Sequence, residues 1–196
     1  MVSIIIPYNK DRGYLSQLID SIDCGHINLA FGECGVAENF NRELKRIDTE
    51  FVKFIAEDDY FAPGGIKGIL DGIGDDPWVV GNSYRVCDGR VVEKYTPDTL
   101  DFKENIIRNR IDGGTTLYRT EILKEIGGMD ETLWTGEEYD MHLKLMSKGY
   151  MPKHVNTFVY YHRIWDGQKS RVYRKQNKNK RDEQIKKIQA RYTHAI

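Results

Sequence analysis

Three adjacent carboxylates, Glu57, Asp58 and Asp59, follow the apolar run FVKFIA at residues 51–56. The run is rich in β-formers and too short for a helix, so a strand is predicted with the carboxylates at its mouth. Open α/β sheets bind ligands outside the carboxyl ends of their strands. Two Asp side chains there suit a hard cation, because Mg²⁺ or Mn²⁺ takes one or two carboxylates plus the phosphate oxygens of a ligand. A solvated turn is the competing reading, since acidic residues are common in turns.

A second loaded segment is WTGEEYD at residues 134–140. It opens a predicted helix, where backbone N–H groups and the macrodipole favour anions. Glu137 and Glu138 are therefore expected to stay ionised, and a carboxylate there can accept a proton. Simple helix capping explains the same composition. A third feature, YYHR at 160–163, closes the last predicted strand. A histidine is more often structural than a ligand, yet at a strand end His162 can reach a metal.

The elements that position these groups alternate through the first half. Residues 2–6 are continuously apolar, as in a strand buried on both faces. Leu15, Leu18, Ile19 and Ile22 follow at helical spacing, 27–31 reads as a second strand, and Ala37, Phe40, Leu44 and Ile47 mark a second helix. Such alternation argues for a parallel sheet flanked by helices. Residues 78–87 and 90–95 flank Asp88-Gly89, a two-residue hairpin signal. Helices are predicted at 120–126, closed by Gly127-Gly128, and at 137–148, stopped by Gly149; a strand follows at 157–161. Asp75-Asp76-Pro77 is the expected exposed turn.

The chain has 196 residues, 40% of them hydrophobic and 30% charged, which describes one ordinary folded domain. No apolar run approaches the roughly 20 residues that span a bilayer, and the apolar start runs straight into Pro7, as a strand does and a signal peptide does not. Cys24, Cys34 and Cys87 form no CxxC pair, so reduced thiols in a cytoplasmic compartment are expected. The net charge of −1 hides an asymmetry: residues 151–196 hold 12 Lys/Arg against 3 Asp/Glu, or +9, and the rest sums to −10. The dense stretch from Arg171 to Arg191 reads as a basic helical tail, either simply solvated or touching a phosphorylated ligand or an anionic membrane. Nucleic acid is not expected, because no stacking aromatics interleave residues 175–191.

In this order, the segments resemble a GT-A-fold glycosyltransferase of the family 2 type. The opening SIIIP at 3–7 with Tyr8 and Asn9 resembles the family's first strand. FIAEDDYFAP at 54–63 resembles its strand carrying the DXD metal motif. IGGMD at 126–130, with the later EEYD run, resembles its "GGFDE … EDxDL" segment. The second half is also similar to the β-1,4-galactosyltransferase family at FNR (40–42), GGT (113–115), 134–140 and His162-Arg163. Together these matches cover residues 2 to about 170.

The resemblance implies a single α/β GT-A domain (a nucleotide-diphospho-sugar transferase) over residues 1–170. Its sheet would be mixed but mostly parallel, flanked by helices. The nucleotide-binding half would be about 1–95 and the acceptor and catalytic half about 96–170, with 171–196 as the basic tail. It implies metal-dependent inverting transfer from a nucleotide-diphosphate sugar, with UDP favoured, to a carbohydrate or other hydroxyl acceptor. Asp59 is implied as a ligand of Mn²⁺ or Mg²⁺, with Asp58 assisting or contacting the ribose and His162 completing the set. Glu138 stands where both families place the catalytic base, usually Asp. Pro7, Tyr8, Asn9 and Arg42 are implied to line the nucleotide pocket, with Gly113, Gly114, Trp134 and Glu137 toward the donor sugar.

The chain departs from the pattern in three places. Ala56 or Glu57 occupies the first DXD position, and Glu57 is given no role. The opening motif is one residue short. The acidic pair that usually ends the second strand is reduced to Glu33 in the short 27–35 stretch. Three alternatives stay open. A nucleotidyltransferase needs a Gly-rich loop after strand one, which residues 8–10 lack. A glycoside hydrolase leaves the Asp58-Asp59 strand end unexplained. A non-catalytic carbohydrate- or nucleotide-binding module that kept the fold is the third.

Overall fold

The computed structural model describes residues 1–8, 10, 12–32 and 34–195. Asn9 and Glu33, both singled out from the sequence, lie outside the described residues. The first half runs β1 (Val2–Tyr8), α1 (Leu15–Asp20), β2 (His26–Phe31), α2 (Val36–Arg46), β3 (Phe51–Phe54), β4 (Tyr60–Phe61), α3 (Gly65–Ile73), β5 (Trp78–Cys87) and β6 (Arg90–Tyr95). The second half holds α4 (Phe102–Ile107), a 3₁₀ turn (Gly113–Thr115), β7 (Thr116–Arg119), α5 (Thr120–Glu125), α6 (Glu137–Ser147), β8 (Lys153–Arg163), α7 (Lys169–Gln176) and α8 (Lys178–Tyr192).

The strands form one sheet ordered β2-β1-β3-β7-β5-β8-β4, with β6 paired to β5. β1 is parallel to β2 and β3, β5 is parallel to β8, and β7 is antiparallel to both β3 and β5. It follows that β1, β2, β3, β5 and β8 all point one way, and their carboxyl ends share one edge. This is the mixed, mostly parallel sheet that the family resemblance implied.

Period-2 alternation assigns the two faces. On β1, Ile5 packs with Ala37, Phe40 and Leu44 of α2, while Ile4 and Ile6 pack with Leu18 and Ile66 on the other side. On β3, Val52 and Phe54 join the first layer and Phe51 and Ile55 the second. Burial from both sides explains why these strands read as continuous apolar runs. Asp88 and Gly89 both carry positive φ, as a tight two-residue hairpin turn requires, and pairing of β5 with β6 follows from them. Gly128 is also fixed by its surroundings. It has φ +69°, and a Cβ there would meet Asn41 Oδ1 at 2.2 Å. That amide bridges α2 to the loop after α5, donating to the Met129 carbonyl (2.8 Å) and accepting from its N–H (2.9 Å).

The basic C-terminal stretch differs from the tail expected. α8 docks on the domain through Gln184, Ile188 and Tyr192, which recur every four residues on one helix face. Ile188 and Tyr192 form an apolar cluster with Ile106, Tyr139 and Leu143. Arg191 pairs with Asp130 (2.8 Å) and Asp140 (3.0 Å), and Tyr192 donates to Asp140 Oδ1 (3.1 Å). A charge count over the whole stretch hides this stripe, because lysines and arginines together outnumber the apolar residues of α8.

Truncating Ile188 to Ala should cost about 2–5 kcal/mol of unfolding free energy, the range for a fully buried aliphatic side chain. Denaturant titration measures it, and an undocked tail would show no change.

Candidate active site

The common edge of the parallel strands brings the loaded segments together. Tyr8 ends β1, Asp58 and Asp59 follow β3, and His162 and Arg163 end β8. A cavity of about 680 Å³ opens there, lined among others by Pro7, Tyr8, Glu57, Asp58, Trp134 and Glu137. That volume lies within the usual range for small-molecule sites, about 300–1,000 Å³.

The segment leaving β8 holds the acidic pair. The Arg163 N–H donates to Asp59 Oδ1 (2.8 Å), and its guanidinium donates to the Asp58 carbonyl (2.7 Å) while lying over the Tyr14 ring. The Trp165 indole N–H donates to Asp58 Oδ2 (2.8 Å). Asp59 is buried, with Oδ2 3.6 Å from His162 Nδ1. Burial pushes the Asp59 carboxyl above its ordinary value, against the pull of His162. Burial alone would lower His162, but the hydrogen bond and charge of Asp59 lift it. Glu57, which had no role in the sequence reading, is buried in the cavity wall and ion-paired with Arg12.

Asp112 is a hub that pattern matching missed. It accepts from Tyr160 OH (2.5 Å) and Ser83 Oγ (2.9 Å) and lies 3.3 Å from the Arg85 guanidinium. Tyr160 OH is also 3.2 Å from His162 Nδ1. Two signals were present in the sequence. Asp112 directly precedes Gly113-Gly114, and Tyr160 shares a strand face with His162 two residues on.

Glu138 sits in the first turn of α6, its carboxyl pressed against the 3₁₀ turn. A Cβ on Gly113 would fall 2.0 Å from Glu138 Oε1, and one on Gly114 would fall 2.3 Å from the Tyr160 ring. A side chain at Gly114 would collide with the buried Tyr160 ring, and one at Gly113 would displace the Glu138 carboxyl. The residue as a whole is half-buried, but Oε1 is sealed from solvent and makes no hydrogen bond in this structure. Its pKa is pushed up to about 8, first by burial, then by Asp112 and Glu137, with Lys53 opposing. This corrects the expectation that the helix start keeps Glu138 ionised. A macrodipole typically contributes about 0.3–1 kcal/mol at an exposed site, and desolvation beside other carboxylates outweighs it.

The remaining candidates fall in varied places. Arg42 is off the cavity wall, donating to the Phe31 carbonyl (2.6 Å) and pairing with Glu43. Asp59, His162, Gly113, Gly114 and Glu138 likewise lie off the lining, at the same sheet edge. Among the described residues, no three His, Cys, Asp or Glu side chains converge as a closed metal cluster. The donors present still fit a hard cation. Mg²⁺ commonly uses only one or two carboxylates plus ligand phosphates. Cis ligands of an octahedral ion at about 2.1 Å lie about 3.0 Å apart, and the Asp59–His162 separation of 3.6 Å is wider than that.

No protein-family model matches the chain. By sequence it is 25% identical to an uncharacterized glycosyltransferase of Rickettsia typhi, an alignment covering 97% of this chain and 70% of that protein. It is 24% identical to an uncharacterized glycosyltransferase of Rickettsia felis, over 74% of this chain and 31% of the relative. The chain thus spans about a third of that longer relative. By structure it is similar to S. aureus TarS 1-349 in complex with UDP-GlcNAc. The TM-score is 0.68 at 18% identity, covering 85% of this chain and 59% of that one. The same TarS fragment in complex with UDP gives a TM-score of 0.64 at 19% identity, over 84% and 61%. The shared fold is the α/β architecture the sequence resemblance implied. Among the described residues, no helix is long and apolar enough to cross a membrane.

The Glu138 shift has a measurable sign. Between the ordinary glutamate value of 4.5 and about 8 the native state keeps a proton that the unfolded chain has lost, so stability falls as pH rises through that window. Glu138→Gln should remove this slope. The variant's melting temperature should gain on the wild type progressively from pH 4.5 to 8. Parallel curves would mean the carboxyl is ordinary.

Proposed function

We propose that this chain is a glycosyltransferase domain that moves a sugar from a nucleotide-diphosphate donor to an acceptor hydroxyl with inversion. The observation that carries it is the placement of Glu138, a carboxyl whose pKa is raised to about 8, at the same sheet edge as the cavity lined by Asp58. A UDP-sugar is the favoured donor, supported by the likeness to TarS complexes with UDP-GlcNAc and UDP. The acceptor is a carbohydrate or another hydroxyl compound.

In this mechanism, Pro7, Tyr8, Trp134 and Glu137 line the cavity, and the family resemblance implies the first two for the nucleotide and the last two for the sugar. Asn9, Glu33 and Arg42 keep the nucleotide-side roles implied by the family resemblance. Asp58 and Asp59 would hold Mn²⁺ or Mg²⁺, and His162 joins them by its likeness to the galactosyltransferase histidine. When bound, such an ion supplies Lewis-acid neutralisation of charge on the leaving diphosphate. Glu138 takes the acceptor proton while the acceptor oxygen bonds to the anomeric carbon and the bond to diphosphate breaks. The transition state is oxocarbenium-like, as in glycoside hydrolysis. Raising the carboxyl toward neutral pH makes it a stronger base than an ordinary glutamate, and such assistance is typically worth about 10²–10⁴ in rate. The exposed lysines of α8, Lys178, Lys180, Lys186 and Lys187, are the surface we assign to contact with an anionic membrane.

A panel of UDP-, GDP- and dTDP-sugars with and without Mn²⁺ identifies the donor by thermal shift, since ligand binding raises the melting temperature. Transfer should rise about tenfold per pH unit below pH 8 and level off above it, because only ionised Glu138 accepts the proton. Glu138→Gln should lose about 10²–10⁴ of the rate while still binding nucleotide. Asp59→Ala should lose metal-dependent binding. Nucleotide binding without transfer or donor hydrolysis would favour the non-catalytic module.

A further inference from the structure

We propose that Lys53 is a positioning residue for Glu138, its amine holding the Gly113–Thr115 turn against the Glu138 carboxyl and setting that carboxyl's charge. The inference rests on the reading of Glu138 as the base of the proposed transfer.

Lys53 is wholly buried in the middle of β3, on the sheet face where its strand neighbours are Phe51 and Ile55. An amine in an apolar layer is costly unless it is hydrogen-bonded. Its bonds go to one place. Nζ donates to the Gly114 carbonyl (2.7 Å) and the Thr116 carbonyl (2.9 Å), spanning the 3₁₀ turn and the start of β7. That turn has no slack on its other side, because Gly113 touches the Glu138 carboxyl and Gly114 touches the Tyr160 ring. Lys53 therefore ties β3, which leads into Asp58 and Asp59, to the backbone that shapes the Glu138 pocket.

The charges make the tie electrostatic as well as mechanical. Glu138 is faced by Asp112 before the turn, Glu137 on its own helix, Asp59 beyond β3, Tyr118 on β7, and Lys53. Of these, Lys53 is the cation. Lys53 in turn faces Glu138, Asp112 and the Phe61 ring, 5.5 Å from its Nζ. Burial holds the amine down to about 7, opposed by Glu138 and Asp112. Amine and carboxyl thus titrate in neighbouring ranges, and their proton affinities are linked reciprocally.

The test reads ionisation in the free protein, without donor or metal. Carbon-13 labelling of glutamate carboxyls, with Glu138→Gln as the subtraction control, isolates the Glu138 resonance. In Lys53→Met its titration midpoint should rise by about 0.3 pH unit, a roughly twofold tighter proton, because the amine is only partly charged where the carboxyl ionises. The rise of the pH–rate profile should shift with it. A Lys53 that only braces the fold would lower the melting temperature and leave the midpoint in place, which would overturn the proposal. If Lys53→Met does not fold, the reciprocal measurement decides. The nitrogen-15 resonance of the Lys53 amine should titrate at lower pH in Glu138→Gln than in wild type, and an unchanged midpoint would overturn the proposal. Coupled midpoints in a protein that transfers no sugar would instead refute the transferase reading and leave the coupling standing.

Discussion

The edge of the sheet must hold several carboxylates out of water without letting them repel one another apart. Glu57, Asp59, Asp112 and Glu138 all lie there, and each meets a different solution. Glu57 is paired with Arg12, Asp59 is bound by the Arg163 N–H and His162, and Asp112 accepts from Tyr160 and Ser83. Glu138 keeps one buried oxygen without a hydrogen bond, and burial lifts its carboxyl to about 8. Sequestered carboxylates are stable only when charge or hydrogen bonds offset the lost hydration. Much of the surrounding structure supplies those offsets.

Strand direction creates the crowding. With β1, β3 and β8 pointing the same way, three segments far apart in sequence deliver polar groups to one place. The exit from β8 then acts as a brace, with Arg163 and Trp165 binding Asp58 and Arg163 also binding Asp59. On the other side, Gly113 and Gly114 allow backbone to approach Glu138 and Tyr160 more closely than any side chain would permit. The two glycines thus leave room for the Glu138 carboxyl and the Tyr160 ring.

The docked C-terminal helix shows how this edge is backed. α8 packs on α4 and α6 through Ile188 and Tyr192, and Asp140 of α6 is bound by both Arg191 and Tyr192. α6 carries Glu138 at its start, so the helix that presents this carboxyl is anchored from behind.

Local patterns in the sequence determined a good deal. The strand before Asp58-Asp59, the Asp88-Gly89 hairpin, the helices after residues 36 and 136, and the α/β class all follow from period and turn chemistry, which depend on near neighbours. The family resemblance linked Asp58, Tyr8, Trp134 and Glu137, and the fold sets them around one cavity. Tertiary structure alone decided the rest. Asp112, Tyr160 and Lys53 look like ordinary strand and loop residues until the sheet order sets them beside His162 and Glu138. The stripe on α8 was masked by its lysines. The state of Glu138 read wrongly from the chain, because a helix start is a local property whereas desolvation and neighbouring charge are sums over everything the fold brings near.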